Sequence, residues 1–213
     1  MAEPLVVVKD LTKRFQSIVA VDGISMTVNR GEALGFLGPN GAGKTTTMRM
    51  LTCFMQPTSG TAQVAGRDII SEPRAVRECI GYLPEGAPGY SEMTPSAFLR
   101  FVAEMRGLSG NRLRERMHEV CERTHIGGVL NQPFGTLSKG YKRRVALAQA
   151  LIHDPEILIL DEPTDGLDPN QKHEVRELIG KMTKDKCIII STHILEEVTS
   201  ICTRAIIVNR GKI

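Results

Sequence analysis

Gly38 to Thr47 reads GPNGAGKTTT and lies between an apolar run, EALGFL at 32–37, and a segment with helical patterning. A glycine-rich turn that leaves a strand and opens a helix constrains this chain more than any other stretch. It dictates a strand end, a loop and a helix start in immediate succession. Gly38, Gly43, Lys44 and Thr45 fill the pattern G-x-x-x-x-G-K-[ST]. Gly38, Gly41 and Gly43 allow a backbone so tightly folded that its N–H groups converge on an anion. Lys44 brings a cation toward β- and γ-phosphates, and Thr45 offers a hydroxyl to Mg²⁺. A glycine turn with an incidental lysine is the weaker reading once a strand and a helix flank it.

The rest of the chain is consistent with that start. EALGFL (32–37), CIGYL (79–83), EILILD (156–161) and KCIIIS (186–191) are nearly unbroken apolar runs, the mark of strands buried on both faces of a parallel sheet. Helices are expected at 43–53, 169–182 and 194–202. The Asp168-Pro169 and Thr94-Pro95 pairs set an N-cap before a first-turn proline. Three β-branched segments near the N-terminus (6–8, 24–28 and 61–64), bounded by DG at 22 and SG at 59, predict antiparallel strands. Residues 86–150 carry helical patterns at 96–106 and 112–124 and no convincing strand. The expected fold is therefore α/β, with a parallel sheet, an N-terminal antiparallel β-subdomain (within 1–85) and an inserted helical subdomain at 86–150. Residues 151–213 return to the sheet.

Composition removes several classes. At 213 residues the chain can bury a full core, and it is 41% hydrophobic and 24% charged. The net charge of +3 is dispersed, so no nucleic acid partner is expected. The longest apolar runs fall far short of the ~20 residues of a membrane span. MAEPLVVVKD, with an acid at Glu3, does not read as a signal peptide. Five cysteines at 53, 79, 121, 187 and 202 include no C-x-x-C pair, which suggests reduced thiols rather than disulfides or a zinc site.

Two further stretches carry chemistry. ILILDEP ends a strand at Asp161, where a carboxylate can meet the metal beside the phosphate loop, and Glu162 follows it. Adjacent acids at a buried strand end call for a cation or for work on a water molecule. They could otherwise cap a solvated turn. TLSKGYKRRVALAQAL sets Ser138 and Gly140 where a helix begins, a second place for an anion. Lys142, Arg143 and Arg144 on that helix read as a solvated face.

With these motifs in order, the chain resembles the nucleotide-binding subunits of ABC transporters over nearly its whole length. GPNGAGKT stands as Walker A, LSKGY as the signature, ILILDEP as Walker B, TDGLD as the D-loop and His193 in STHILEE as the switch histidine. The resemblance implies a P-loop NTPase with a RecA-like core, in which two cassettes pack head to tail and share ATP. Ser138 and Gly140 of one chain would then bind the γ-phosphate held by the other chain's Gly38, Pro39, Asn40, Gly41, Ala42, Gly43, Lys44, Thr45 and Thr46. It further implies Glu162 as general base, His193 at the γ-phosphate and Phe15 stacked on adenine, although a core phenylalanine is the alternative for Phe15. Thr45, Glu85 and Asp161 would hold Mg²⁺. Glu85 stands where the family usually has glutamine, and LSKGY where it usually has LSGGQ. YLPE, LSKGY and DGLDP together look like the ABC-2 exporter branch. That branch implies a second ATPase subunit, integral membrane permease partners and a cytoplasmic position on the membrane. The rival reading is a soluble ABC ATPase of translation or DNA maintenance. A GTPase is disfavoured, since no N-K-x-D motif is present. The family commonly continues beyond a final hairpin like AIIVNRGKI, so a further segment is expected after residue 213.

Overall fold

The computed structural model describes residues 4–213; the Glu3 used against a leader lies outside them. Two sheets organise the chain. One is antiparallel, in the order β2-β1-β4-β5, and contains β1 (Pro4–Phe15), β2 (Ile18–Asn29), β4 (Ser59–Val64) and β5 (Arg67–Asp68). The other is parallel throughout, in the order β6-β7-β8-β3-β9, and contains β6 (Ile80–Leu83), β7 (Ile157–Asp161), β8 (Cys187–Thr192), β3 (Ala33–Leu37) and β9 (Arg204–Ile207).

The apolar runs form the parallel strands because both faces are covered. Along β7, Ile157 and Ile159 pack toward the antiparallel sheet, while Leu158 and Leu160 pack toward the helical side. Along β8, Cys187 and Ile189 alternate with Ile188 and Ile190 in the same way. Fully burying one such aliphatic side chain contributes about 1.5–3 kcal/mol, so these strands anchor the fold. The helices are α1 (Lys44–Leu51), α2 (Pro73–Cys79), α3 (Pro95–Met105), α4 (Gly110–Arg123), α5 (Lys139–Leu151), α6 (Pro169–Thr183) and α7 (Leu195–Ile201). Between β6 and β7 the described elements are all helical. As expected, Thr94 and Asp168 cap α3 and α6 through their side chains, each with proline in the first turn.

Two expectations need correction, and one helix carries no signal in the sequence. The DG at Asp22-Gly23 is not a turn between strands but lies inside β2, where Gly23 has φ 65° and donates its N–H to Thr12 Oγ1 at 3.0 Å. Likewise Gly60 lies inside β4, with a virtual Cβ only 2.2 Å from the Asp10 carbonyl oxygen. Register shifts in β1 let the strand bend around these points, so β1 and β2 run much longer than their apolar cores suggest. Helix α2, seven residues with only Val76 buried, had no apolar stripe to reveal it. AIIVNRGKI forms a strand and then turns at 209–211, as expected. Its first part joins the parallel sheet beside β3, and a single Asn209–Lys212 bridge closes the turn that follows.

One buried histidine makes stability depend on pH. His153, just past α5, faces the Ile80 carbonyl through Nε2 at 3.1 Å, while its buried Nδ1 has no partner. Burial, and then Arg106 nearby, pushes its pKa down to about 4. The unfolded chain takes up this proton near the ordinary value and the folded chain does not. The resulting stabilisation is present above about pH 6.5 and is lost as pH falls toward 4. In His153→Leu, the melting temperature should fall less between about pH 7 and 4.5 than in the unaltered chain. Parallel pH–melting curves for the two proteins would contradict this.

Candidate nucleotide site

A cavity of about 410 Å³ opens at the carboxyl ends of β3, β7 and β8. It is lined by Asn40 to Thr46, Glu85, Glu162, Asp165, His193 and Ala20. Ligands in open α/β sheets bind at such strand ends. Gly43 adopts φ 106°, and a Cβ there would approach the Ala20 carbonyl oxygen to 2.5 Å, so only glycine lets the loop turn onto α1. The turn after β9 backs the loop from behind. Gly211 N–H donates to the Ala42 carbonyl at 2.9 Å, and a Cβ on Gly38 would lie 2.2 Å from the Val208 carbonyl oxygen.

Within the cavity Lys44 is buried. Its Nζ donates to the carbonyls of Gly38 at 2.7 Å and Pro39 at 3.2 Å, and lies 3.7 Å from Glu162 Oε1. Glu162 follows Asp161 in a left-handed conformation, φ 51°. For a non-glycine residue that costs on the order of 1–3 kcal/mol and needs support from its surroundings. Ser191 supplies part of this support, accepting the Glu162 N–H at both its carbonyl and its Oγ, each at 3.1 Å. The result turns the Glu162 carboxylate toward His193 Nδ1, 3.1 Å away.

Asp161 is fully buried. Its Oδ1 accepts from Thr45 Oγ1 at 3.3 Å and from Ser191 Oγ, while its buried Oδ2 has no partner. An orphaned carboxylate oxygen beside a hydroxyl suits a hard divalent cation, which prefers oxygen ligands. Charge balance points the same way. Lys44 is the only lysine or arginine among the described lining residues, facing Glu85, Glu162 and Asp165. A polyphosphate entering alone would meet net repulsion, and a bound Mg²⁺ would reverse it.

The remaining expected residues lie elsewhere. Ser138 is the N-cap of α5, its Oγ accepting the Tyr141 N–H at 3.3 Å, and it is exposed outside the cavity. Gly140 is buried against Gln171, whose Oε1 would sit 2.4 Å from an added Cβ. Phe15 ends β1 with 43% of its surface exposed and Lys13 Nζ 5.3 Å from its ring centroid, so it is not a core residue. It does not line the cavity.

The basic run on α5 is corrected. Arg143 and Arg144 are only 5% and 7% exposed, not a solvated face. Arg144 pairs with Glu174 at 2.7 Å, and Arg143 reaches backbone carbonyls around β6 and β7. Glu197 also went unread. Fully buried, it accepts from Thr164 and from Thr192 Oγ1 at 2.6 Å, tying the segment after β7 to the end of β8 beside His193. The acids in STHILEE were visible, but nothing in their spacing tells a buried one from a solvated one.

The family described as ABC transporter matches residues 21–165. ABC transporter ATP-binding protein NatA of Bacillus subtilis (strain 168) is 36% identical over 98% of this chain and 87% of its own length. Nod factor export ATP-binding protein I of Ralstonia nicotianae is 36% identical over 98% of this chain and 65% of its own length. Among solved structures, an ATP-binding subunit of an ABC transporter superposes with a TM-score of 0.90 at 30% identity, covering 98% of this chain and 88% of that one.

Proposed function

The chain belongs to the ABC transporter family of ATP-binding, ATP-hydrolysing subunits, and we propose that it drives a separate membrane permease of the exporting type by closing with a second copy of itself around ATP. The observation that carries this reading is a division of labour. Lys44, Thr45, Asp161, Glu162 and His193 gather at one cavity, whereas Ser138 stands exposed at a helix start outside it. A second copy could bring its own Ser138 and Gly140 to the open side of that cavity.

In this account the N–H groups of residues 40–46 and Lys44 hold the phosphates, and Phe15 stacks on the base from the rim. Thr45 and Asp161, with Glu85 at the edge, would hold Mg²⁺, which offsets phosphate charge when bound. Glu162 takes the proton of the attacking water, and His193, held at the Glu162 carboxylate, faces the γ-phosphate. ATP favours the closed pair because only that state offers both half-sites to the γ-phosphate; hydrolysis removes the contact and the pair reopens. Shifting such an equilibrium from mostly open to mostly closed needs about 5.5 kcal/mol of differential binding, which two nucleotides can share.

The export direction is supported by YLPE, LSKGY and DGLDP, and by a relative named for Nod factor export. Among the described residues no helix is long and apolar enough to cross a membrane, in keeping with a subunit that works on the cytoplasmic face through its permease. The test is turnover and company together. Chelation by EDTA should abolish ATP hydrolysis, and the chain should purify in detergent with an integral membrane protein. Recovery with ribosomes or DNA instead would favour a soluble ABC ATPase.

A further inference from the structure

Arg143, in the second turn of α5, is almost fully enclosed, and every partner of its guanidinium is backbone. Nε donates to the Pro163 carbonyl at 3.4 Å. Nη1 donates to the carbonyls of Pro84 at 2.7 Å and Gly86 at 3.2 Å, and Nη2 to those of Asp161 and Glu162. A guanidinium has five N–H donors in a fixed fork, and five carbonyls receive them. These carbonyls fall in two groups. Pro84 and Gly86 flank Glu85, in the loop after β6. Asp161, Glu162 and Pro163 are the turn that holds Glu162 in its left-handed conformation. One side chain, on the helix that begins at Ser138, thus grips the main chain on both sides of both acids.

We propose that Arg143 is a positioning residue for hydrolysis. Its fork sets the direction of the Glu162 carboxylate and ties that carboxylate and Glu85 to the angle of α5. The Ser191 contacts hold the N–H side of the Glu162 peptide, and Arg143 holds the carbonyl side. Released at the carbonyl, the turn can relax toward ordinary backbone and swing the carboxylate off the water. The buried cation also lies among Asp165, Asp161, Glu162 and Glu85, whose negative charges oppose the effect of burial on its protonation. It therefore offsets the charge that Glu85 adds at a position where the family usually has a neutral amide. Because α5 also carries the signature serine at its start, a tilt of α5 on meeting a second copy would be felt at both acids. Lysine cannot replace this function. Its ammonium is a point charge with three donors and cannot span two segments with a planar fork.

This inference rests on Glu162 being the residue that acts on water, and the test separates the two. ATP affinity, melting temperature and steady-state hydrolysis would be measured for Arg143→Lys, Glu162→Gln and the double variant. Arg143→Lys should lower kcat about 10- to 100-fold, the cost of misplacing a reacting group, with ATP affinity within about threefold of the unaltered chain. On the Glu162→Gln background the same change should cost nothing further, because the group it positions is gone. Guanidinium at non-denaturing concentration should restore part of the kcat of Arg143→Ala and none of that of Glu162→Gln. A folded Arg143→Lys with unchanged kcat would overturn the proposal, as would a loss that persists in full on the Glu162→Gln background. So would Arg143 variants that do not fold at all, since the residue would then be a strut of the fold. Undiminished turnover in Glu162→Gln would instead overturn the reading of Glu162.

Discussion

Glu162→Gln is expected to bind ATP and then stall. The change keeps the size of the side chain and removes its basicity, so hydrolysis should fall about 10²- to 10⁴-fold, the usual contribution of a positioned general base. ATP affinity should hold or rise. The Glu162 carboxylate lies 3.7 Å from Lys44 Nζ and competes with phosphate for that cation, and a neutral amide competes less. With hydrolysis blocked, nothing removes the contacts that hold the closed pair together. The variant should therefore elute as a dimer with ATP and Mg²⁺ and as a monomer without them. Size-exclusion showing only monomer in ATP and Mg²⁺ would count against both the role of Glu162 and the closing of two copies.

How legible the molecule was depends on whether a residue's partners are implied by its own neighbours. The runs at 156–161 and 186–191 were readable as buried parallel strands because residues 157–160 and 187–190 alternate their side chains between two apolar layers, which leaves polar residues only at the ends of each run. The glycine loop was readable because its conformation needs glycine at fixed spacings. Gly23 and Gly60 were misread, since a left-handed glycine serves a bulge as well as a turn, and only the opposing strand decides which. Helix α2 hid because one buried valine makes no stripe. Arg143 and Arg144 were misread for a deeper reason. A charged pair on a helix normally faces water, and the carbonyls that enclose Arg143 come from segments 18 to 59 residues away in the chain. Of the expected site residues, those on the glycine loop and at the ends of β7 and β8 share one cavity or touch its wall. Ser138, Gly140 and Phe15 do not, and the proposed shared site has the first two serve the cavity of a second copy.

The second large effect follows from that incompleteness. Lys44→Ala removes the only lysine or arginine among the described residues that line the cavity. Losing charge-assisted hydrogen bonds worth about 1.5–3 kcal/mol should weaken ATP binding roughly 10- to 100-fold. At ATP too dilute to fill the weakened loop, Lys44→Ala should be inactive; Ser138→Arg should leave a lone chain's own loop intact and place a bulky side chain where a second copy's γ-phosphate must approach, so it should be inactive as well. Each variant alone makes only defective pairs. Mixed in equal amounts, half of the pairs combine one chain of each kind, and each such pair contains one site built from an intact Lys44 and an intact Ser138. Hydrolysis by the equimolar mixture of Lys44→Ala and Ser138→Arg chains is therefore the most direct measurement. If each ATP is held between two copies, the mixture recovers about a quarter of the unaltered rate from two inactive proteins. If the mixture stays inactive, or if Ser138→Arg alone hydrolyses ATP at full rate at dilutions where no pairs form, the shared site does not exist.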